Sequence, residues 1–495
     1  MEHKTFECYV TLSDKSTLPF RYENGVITFY FGKRSITFAE GATFIIGESR
    51  EGKIGCCIYF HYSAPYKNPI PVRISESDSH TDVSVSSGTI SHEVNFFIEN
   101  YKLDTDYTGM TLSFPELDYF LPSGSHAVSD AEEDDFDTLI FSSNFEEVKP
   151  FEVEFEGRNV SFSLMISSVR YTGYPISKAE TKTEIYLSFE KTKDVEFLVH
   201  LYHRVHDFFS FLCNRKNISL NGAILHGEII RKRPTPESLD ILGASATTAL
   251  PALEYTDKVL PITQSLVVLD KYGDVGESKE VIQKTIGYVL VRNNFEQLFA
   301  LFLSDDVKKQ VSAQSIHSSV KSRNLIDLKQ SLHITSAFEF YYREFVREGK
   351  PEVQSDASAE FTQEISAMLD SYIETATGKK KEKANSLKKQ ISRSIELSLS
   401  EKIKKIYNGF SEDAVSWAKL SDVLDEWFAG KVDSLAKAAN EWRNELAHEK
   451  REFEPKLDII SAIRLVEHLN YCVVLRKANY SDEDIRTIIE KILVR

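Results

Sequence analysis

The sequence has few cysteines, no long apolar run and no glycine-rich phosphate loop, and each absence excludes a class of protein. Five scattered cysteines in 495 residues argue against a disulfide framework. The longest apolar runs, 286–291 and 298–303, are far shorter than the roughly 18 residues of a membrane span. No Walker or Rossmann glycine pattern occurs, which argues against nucleotide hydrolysis. The N-terminus lacks a basic segment followed by an apolar one, so we expect a cytoplasmic protein without membrane contact.

The net charge of −16 is unevenly distributed along the chain. Residues 286–495 contain 32 Lys and Arg against 33 Asp and Glu, a net charge of −1. Residues 1–285 contain 27 against 42, a net charge of −15, and their densest acidic run is 132–137. Electrostatic repulsion of a nucleic acid is therefore a property of the first half. The second half is neutral and has local basic clusters.

Up to about residue 235 the sequence is typical of strands. Segments such as 25–31, 55–60 and 160–166 are rich in β-branched and aromatic residues, and turn residues separate them, as in antiparallel sheet. One helix is predicted at about 196–212. Residues 236–334 have a mixed pattern interrupted by prolines, and we interpret them as a connecting region.

From about residue 286 onward, apolar residues recur at three- and four-residue spacing, which predicts helices. The predicted helices are 286–303, 335–347, 358–373, 381–407, 416–428, 432–448, 456–478 and 481–494. Ser481 and Asp484 suit a capping box in which Asp replaces the usual Glu. Residues 378–383 are interpreted as a basic loop before a long helix. The predicted fold is α+β multidomain, with a β-rich antiparallel N-terminal domain (1–235) and an all-α helical bundle (335–495).

The candidate chemistry lies at the end of a predicted helix, in the run 442–448 (WRNELAH). Asn444 and His448 are four residues apart and share a helix face, and Arg443 lies about 100° around from Asn444. RNA carries its own nucleophile, the 2′-hydroxyl, so its cleavage needs a base for that proton and a cation for the charge on the phosphate. Histidine titrates near neutrality, and arginine presents a fork of donors to phosphate oxygens. This chemistry requires no metal and no cofactor.

Spacing alone is a weak signal, because a chain of this composition is expected to contain about one or two chance matches to R-x(4–6)-H. The other match, from Arg73 to His80, lies in a polar turn, and we interpret it as coincidence. A structural interpretation of the run 442–448 also stays open. In that interpretation Arg443 pairs with a carboxylate on a neighbouring helix, and His448 caps a helix C-terminus.

The run RNELAH at 443–448, followed by Pro455 and a long predicted helix, resembles the signature of HEPN domains. These are helical bundles that dimerise and cleave RNA without metal. The first half resembles the N-terminal domain of ApeA-like anti-phage HEPN proteins, through the segments 112–121 (LSFPELDYFL) and 206–214 (HDFFSFLCN). The resemblance implies an HEPN-type fold for 335–495 and a sensing or regulatory role for 1–235.

The resemblance also implies roles for single residues. Arg443 would contact the scissile phosphate, His448 would act as general base or acid, and Asn444 would support them. The family builds one composite site from two motifs across a dimer, so the single credible motif here implies a homodimer or higher homo-oligomer. Further RNA contacts are expected in the basic run, at Lys379, Lys380, Lys381, Lys383, Lys388, Lys389 and Arg393. The alternative for this run is a solvated helix start.

The sequence therefore predicts a metal-independent endoribonuclease of anti-phage defence that acts by abortive infection. We expect it to cleave structured RNA such as tRNA loops, leaving 2′,3′-cyclic phosphate and 5′-hydroxyl ends. The N-terminal domain would hold the enzyme latent until a phage-derived trigger arrives. The alternative is a non-catalytic HEPN-like module that binds RNA or a nucleotide, or that only dimerises.

Overall fold

The structure, a computed structural model of the chain, describes residues 6–11, 17–23, 26–32, 36–38, 41–49, 52–60, 73–77, 80–85, 88–102, 104–121, 124–127, 141–144, 148–172, 177–234, 255–268, 279–282, 284–323, 327–350, 356–394, 397–412, 415–447 and 457–494. The chain divides into two compact units. The first consists of residues 1–203 and 219–276, and the second of residues 204–218 and 277–495.

Strands dominate the first unit, as the sequence predicts. They are β1 (Phe6–Thr11), β2 (Thr17–Glu23), β3 (Val26–Gly32), β4 (Ile36–Phe38), β5 (Gly41–Ser49), β6 (Gly52–Phe60), β7 (Arg73–Ser77), β8 (His80–Val85), β9 (Gly88–Glu99), β10 (Asp106–Leu112), β11 (Gly124–Ala127), β12 (Phe141–Asn144), β13 (Phe151–Phe155), β14 (Arg158–Thr172), β15 (Ser177–Thr192), β16 (Gly222–Pro234) and β17 (Tyr255–Val268). Twelve of these described strands form one antiparallel sheet in the order β13-β14-β15-β10-β16-β17-β9-β3-β2-β1-β5-β6.

The hairpin of β14 and β15, near one end of this strand order, shows why the segments form strands. Val160 pairs with Phe189 and Phe162 with Leu187 across β14 and β15, and all four side chains are buried on one face. Period-two burial of this kind fixes the register, because a slip of one residue would expose the whole set. The turn between β13 and β14, Glu156–Gly157, has positive φ at both residues, as a two-residue hairpin turn requires.

Helices make up most of the second unit, and two segments of the first unit are also helical. They are α1 (Pro115–Phe120), α2 (Val195–Cys213), α3 (Lys279–Ile282), α4 (Tyr288–Val291), α5 (Phe295–Leu303), α6 (Val320–Arg323), α7 (Leu328–Tyr341), α8 (Asp356–Thr375), α9 (Lys379–Ser394), α10 (Leu399–Asn408), α11 (Ser421–Phe428), α12 (Val432–Ala447), α13 (Leu457–Lys477) and α14 (Asp482–Ile489). A π-helical turn, Tyr342–Val346, extends α7, and a second, Glu490–Val494, extends α14. A short hairpin, β18 (Phe410–Glu412) and β19 (Val415–Trp417), follows α10.

Capping side chains set several of these helix starts. Ser481 and Asp484 form the predicted capping box, with the Ser481 hydroxyl accepting from the Asp484 backbone N–H at 3.2 Å. Asp327 caps α7, since its carboxylate accepts from the backbone N–H of Lys329 at 2.9 Å. The capping-box prediction is therefore confirmed, and α7 begins seven residues earlier than the apolar spacing indicates.

Three further predicted boundaries in the helical half are wrong. The single helix expected at 381–407 is two helices, because Ser398 and Glu401 form a capping box that starts α10. The expected loop 378–383 is a loop only at Gly378, which has a φ of +58°, and α9 begins at Lys379. The helix expected at 416–428 begins only at Ser421, because its first residues pair with β18.

Helix α13 lies at the centre of the helical unit. Its residues 465–475 are buried on every side, which makes it a core helix rather than a surface one. Asn470 Nδ2 donates to the Ile334 carbonyl oxygen at 3.0 Å and so joins α13 to α7. Tyr471 stacks on Phe211, with ring centroids 4.3 Å apart. Of the helices described here, none combines the length and the hydropathy that crossing a bilayer requires.

Candidate functional site

Arg443 lies near the C-terminal end of α12, on a helix anchored by a buried stripe. Ala436, Ala439 and Trp442 recur at helical spacing, and each is buried, Trp442 to 2% exposure. Burial of the large Trp442 indole fixes the rotation of α12 about its axis. As a consequence the next residue, Arg443, is half-buried, and Asn444 is exposed.

Glu339 of α7 is the carboxylate that holds Arg443. Arg443 Nη2 donates to Glu339 Oε2 at 2.8 Å, and Lys402 Nζ of α10 lies 3.8 Å from Glu339 Oε1. The same ammonium lies 5.8 Å from the centroid of the Tyr342 ring, a cation–π contact. Three helices distant in sequence therefore meet at one carboxylate. We call Glu339, Lys402 and Arg443 the Glu339 cluster.

The Glu339 cluster contains two cations and one anion, so it has a net positive charge. Lys402 is 12% exposed and mostly withdrawn from solvent, whereas Arg443 is 37% exposed. An arginine has five N–H donors, and one carboxylate oxygen occupies only one of them. The exposed part of the guanidinium can therefore bind a phosphate oxygen while Glu339 holds the other side.

The contact between Arg443 and Glu339 is the one that the structural interpretation of the motif anticipates, a pair with a carboxylate on a neighbouring helix. A partly exposed pair of this kind contributes little to stability, typically up to about 1 kcal/mol. The geometry is therefore compatible with both uses of Arg443: as a bundle contact, and as a positioned phosphate ligand.

Of the other two motif residues, the structure describes Asn444 but not His448. Asn444 follows Arg443 on α12 and is exposed. His448 follows the last residue of α12, Ala447, and lies outside the described residues. The structure therefore brings Arg443 and Asn444 together at the end of one helix, and the assignment of His448 depends on the sequence pattern.

Glu412 of β18 is a second carboxylate held by two cations. Arg347, only 2% exposed, donates through Nη1 to Glu412 Oε2 at 2.6 Å. Lys405 of α10 pairs with the other Glu412 oxygen, and its ammonium lies 4.9 Å from the centroid of the Phe410 ring. Burial opposes the shift, but hydrogen bonds from Lys405 and Arg347 hold the pKa of Glu412 below its ordinary value. The ion pair between Lys405 and Glu412 holds α10 in place, and α10 also carries Lys402 of the Glu339 cluster.

The predicted RNA-binding residues lie on α9. Those in its first turns, Lys379, Lys380, Lys381 and Lys383, have exposed side chains. Lys388 is half-buried, and its Nζ pairs with Asp370 Oδ1 of α8 at 2.5 Å. Lys389 and Arg393 belong to the same helix, but their side chains lie outside the described residues.

Sequence reasoning missed Glu339 and Lys402. Glu339 is separated from Arg443 by 104 positions, and no spacing rule joins residues that far apart. One signal was available: Glu339 is the lone carboxylate in the aromatic run 338–342 (FEFYY) of a predicted helix. A charge within a core-facing aromatic run needs a partner, and that requirement points to a cation on another helix.

Comparison with known families adds one finding. Residues 332–484 match the family model described as Apea-like HEPN. This part of the chain forms an Apea-like HEPN domain. The HEPN domain contains α7 to α13 almost entirely, and with them all three residues of the Glu339 cluster. Residues before 332 lie outside the match.

The match confirms the HEPN resemblance for residues 332–484, and the structure confirms the predicted order of a sheet-rich half followed by a helical one. Domains of this family are generally ribonucleases, and at the family level the match supports an HEPN nuclease-type role in anti-phage defence. No curated protein and no solved structure matches the chain significantly.

Proposed function

We propose that the protein is a metal-independent endoribonuclease of anti-phage defence. The observation that carries this proposal is the position of Arg443 within the HEPN domain. Its guanidinium is held on one side by Glu339 at 2.8 Å and is still 37% exposed. A cation fixed on one side and open on the other suits transient contact with a phosphate, because it needs little reorganisation when charge develops.

The reaction uses the RNA itself as nucleophile. His448 accepts the proton of a ribose 2′-hydroxyl, and the 2′-oxygen attacks the adjacent phosphorus. Arg443 stabilises the negative charge on the non-bridging phosphate oxygens. The bond from phosphorus to the 5′-oxygen breaks, and a general acid protonates the departing oxygen. The products are a 2′,3′-cyclic phosphate and a 5′-hydroxyl. In this proposal Asn444 supports Arg443 and His448.

Two copies of the chain build the site in this proposal. Each contributes one Arg443–His448 motif, so that one histidine acts as base and the other as acid. Structured RNA such as a tRNA loop is the expected substrate, because its splayed backbone can reach in-line geometry. The α9 lysines with exposed side chains would bind flanking phosphates. We propose that the enzyme acts in the cytoplasm, and that the acidic first half keeps it latent until infection supplies a trigger.

The test is cleavage of total tRNA in excess EDTA by the full-length protein, with the new RNA ends identified chemically. Wild type should produce cyclic-phosphate ends, and Arg443→Ala and His448→Ala should not. Arg464→Ala, which changes an exposed arginine of α13, is the matched control and should cut like wild type. Equal cleavage by all four proteins would contradict the assignment. Because the proposed enzyme is latent until triggered, each protein is assayed with and without extract of infected cells, and absence of cyclic-phosphate ends from wild type under both conditions would also contradict the proposal.

A second function is favoured by the same ion pair. If Arg443 serves only to join α12 to α7, the domain is a binding or dimerisation module without catalysis. Arg443→Ala would then alter RNA affinity or assembly, and no protein in the series would cut RNA in infected extract. In the nuclease, affinity and assembly stay near those of wild type and cleavage is lost.

A further inference from the structure

Helices α8 and α9 form a hairpin that exposes large apolar side chains. On α8, Phe361 is 63% exposed, Met368 is 65% exposed and Tyr372 is 48% exposed. On α9, Leu387 is 47% exposed. Single apolar side chains are common on protein surfaces, but a group of large ones on one supersecondary unit marks an interaction surface.

The exposed side chains of α8 form a stripe that is separate from the internal seam of the hairpin. Phe361, Met368 and Tyr372 lie at positions i, i+7 and i+11, which share one helix face over about 16 Å. The two helices instead approach each other at buried Ala384, and Lys388 pairs with Asp370 between them. The apolar stripe is therefore separate from the contact between α8 and α9 and faces solvent.

The two helices of the hairpin have opposite charge. Helix α8 contains five Asp and Glu and no Lys or Arg, whereas α9 contains seven Lys and Arg and one Glu. Glu364 and Glu374 of α8 are exposed, as are the lysines in the first turns of α9. A surface with one acidic and one basic edge is complementary to itself after a two-fold rotation, as an isologous dimer interface requires.

We infer that a second copy of this chain docks on the α8–α9 hairpin. The apolar stripes face each other, and the acidic α8 of each copy lies against the basic α9 of the other, so that two hairpins form a four-helix bundle. The inference deepens the proposed function, on which it rests in one respect: the proposed site needs two copies of the chain, and the inference names the surface through which the copies associate. With seven cations in α9 against five carboxylates in α8, cations remain for RNA.

The first test is the mass of the full-length protein in solution, measured by light scattering without RNA. Wild type should have twice the 56.5 kDa mass of one chain, and the double variant Phe361→Ser, Met368→Ser should have half the wild-type value. Val307→Ser, which changes a 70% exposed valine on a turn, is the control and should keep the wild-type mass. Circular dichroism checks that each variant is folded.

The second test separates charge pairing from a change in folding. Glu364→Lys with Glu374→Lys changes the net charge of α8 from −5 to −1 and places two cations against the basic α9 of the other copy, so it should shift the mass to that of one chain. Adding Lys379→Glu and Lys383→Glu places carboxylates on α9 for the new lysines and should restore the dimer. If the lysines contact only RNA, the reversals change RNA affinity and leave the mass unchanged, which overturns the inference.

A monomeric wild type also overturns the inference, as does a stripe variant that stays dimeric. In the second case the proposed nuclease is unaffected, since its dimer would form elsewhere on the domain. Failure of the proposed function alone would appear as a hairpin-dependent dimer that cuts no RNA in infected extract.

Discussion

Glu339 Oε2 accepts a hydrogen bond from Arg443 Nη2 at 2.8 Å, although the two residues are 104 positions apart in the chain. The contact joins α7 to α12 within the HEPN domain. Lys402 shares the same carboxylate from a third helix. Arg443, the cation proposed to act on RNA, is therefore held by a carboxylate that lies outside the motif at 442–448.

We predict that Glu339→Ala lowers the rate of RNA cleavage by about ten- to a hundred-fold, because a displaced guanidinium loses its alignment with the phosphate. Loss of the partly exposed pair with Arg443 should lower stability by no more than about 1 kcal/mol, and loss of the partner of Lys402, which is 12% exposed, adds to this. Glu339→Gln should recover most of the rate, because its amide oxygen still accepts from Arg443. Single-turnover cleavage, compared with urea unfolding, measures the two effects separately.

The control for this prediction is Glu441→Ala, which removes an exposed carboxylate from α12 and should change neither quantity. A Glu339→Ala variant with the wild-type rate would show that Arg443 needs no positioning partner. A rate that rises instead would show that the pair restrains Arg443.

A second prediction concerns the segment 204–218, which belongs to the helical unit. Phe211 is buried, stacks on Tyr471 at 4.3 Å and lies 5.4 Å from Phe302. Phe211→Ala should lower the free energy of unfolding by about 3–5 kcal/mol, as the loss of a buried aromatic ring does. Urea unfolding followed by tryptophan fluorescence measures it, and Leu328→Ala, at an exposed site, should change stability by less than about 0.5 kcal/mol.

This segment also bears on how latency can be tested. A chain that begins near residue 286 lacks Phe211 and the rest of 204–218, so it is expected to be less stable. Loss of cleavage in such a chain would then report unfolding rather than a need for the first half. Substitutions within the first unit, in the full-length protein, are the better test of latency.

A third prediction follows from Glu412. Burial opposes the shift, but hydrogen bonds from Lys405 and Arg347 set its folded pKa below the ordinary value of 4.5. The folded state therefore binds fewer protons than the unfolded state, so this stabilisation is present above about pH 4.5 and is lost as the pH falls further.

Glu412→Gln should remove that dependence. The variant should be less stable than wild type at neutral pH, and its urea midpoint should fall less steeply between about pH 5 and pH 3. Glu441→Gln, an exposed change, should follow wild type. Parallel slopes for wild type and Glu412→Gln would show that another carboxylate governs acid unfolding.

Much of the fold could be predicted from the sequence because local patterns carry it. The alternation around Val160 and Phe162 gives the strand, and Ser481 with Asp484 marks the start of α14. The break before α10 was missed because apolar spacing continues through it, and only the Ser398 cap marks it. In the candidate site, a local motif points to Arg443. Glu339 was missed because its contact depends on the packing of three helices, which spacing along one helix does not encode.

In the proposed reaction the 2′-hydroxyl of the RNA is the nucleophile. The experiment that tests this step places a single 2′-deoxynucleotide on the 5′ side of the mapped cleavage site in a synthetic RNA loop. Wild type should no longer cut at that phosphate and should still cut an all-ribose loop to a cyclic-phosphate end. Undiminished cleavage at the deoxy site would show that water or another nucleophile attacks, and it would contradict the roles given to Arg443 and His448.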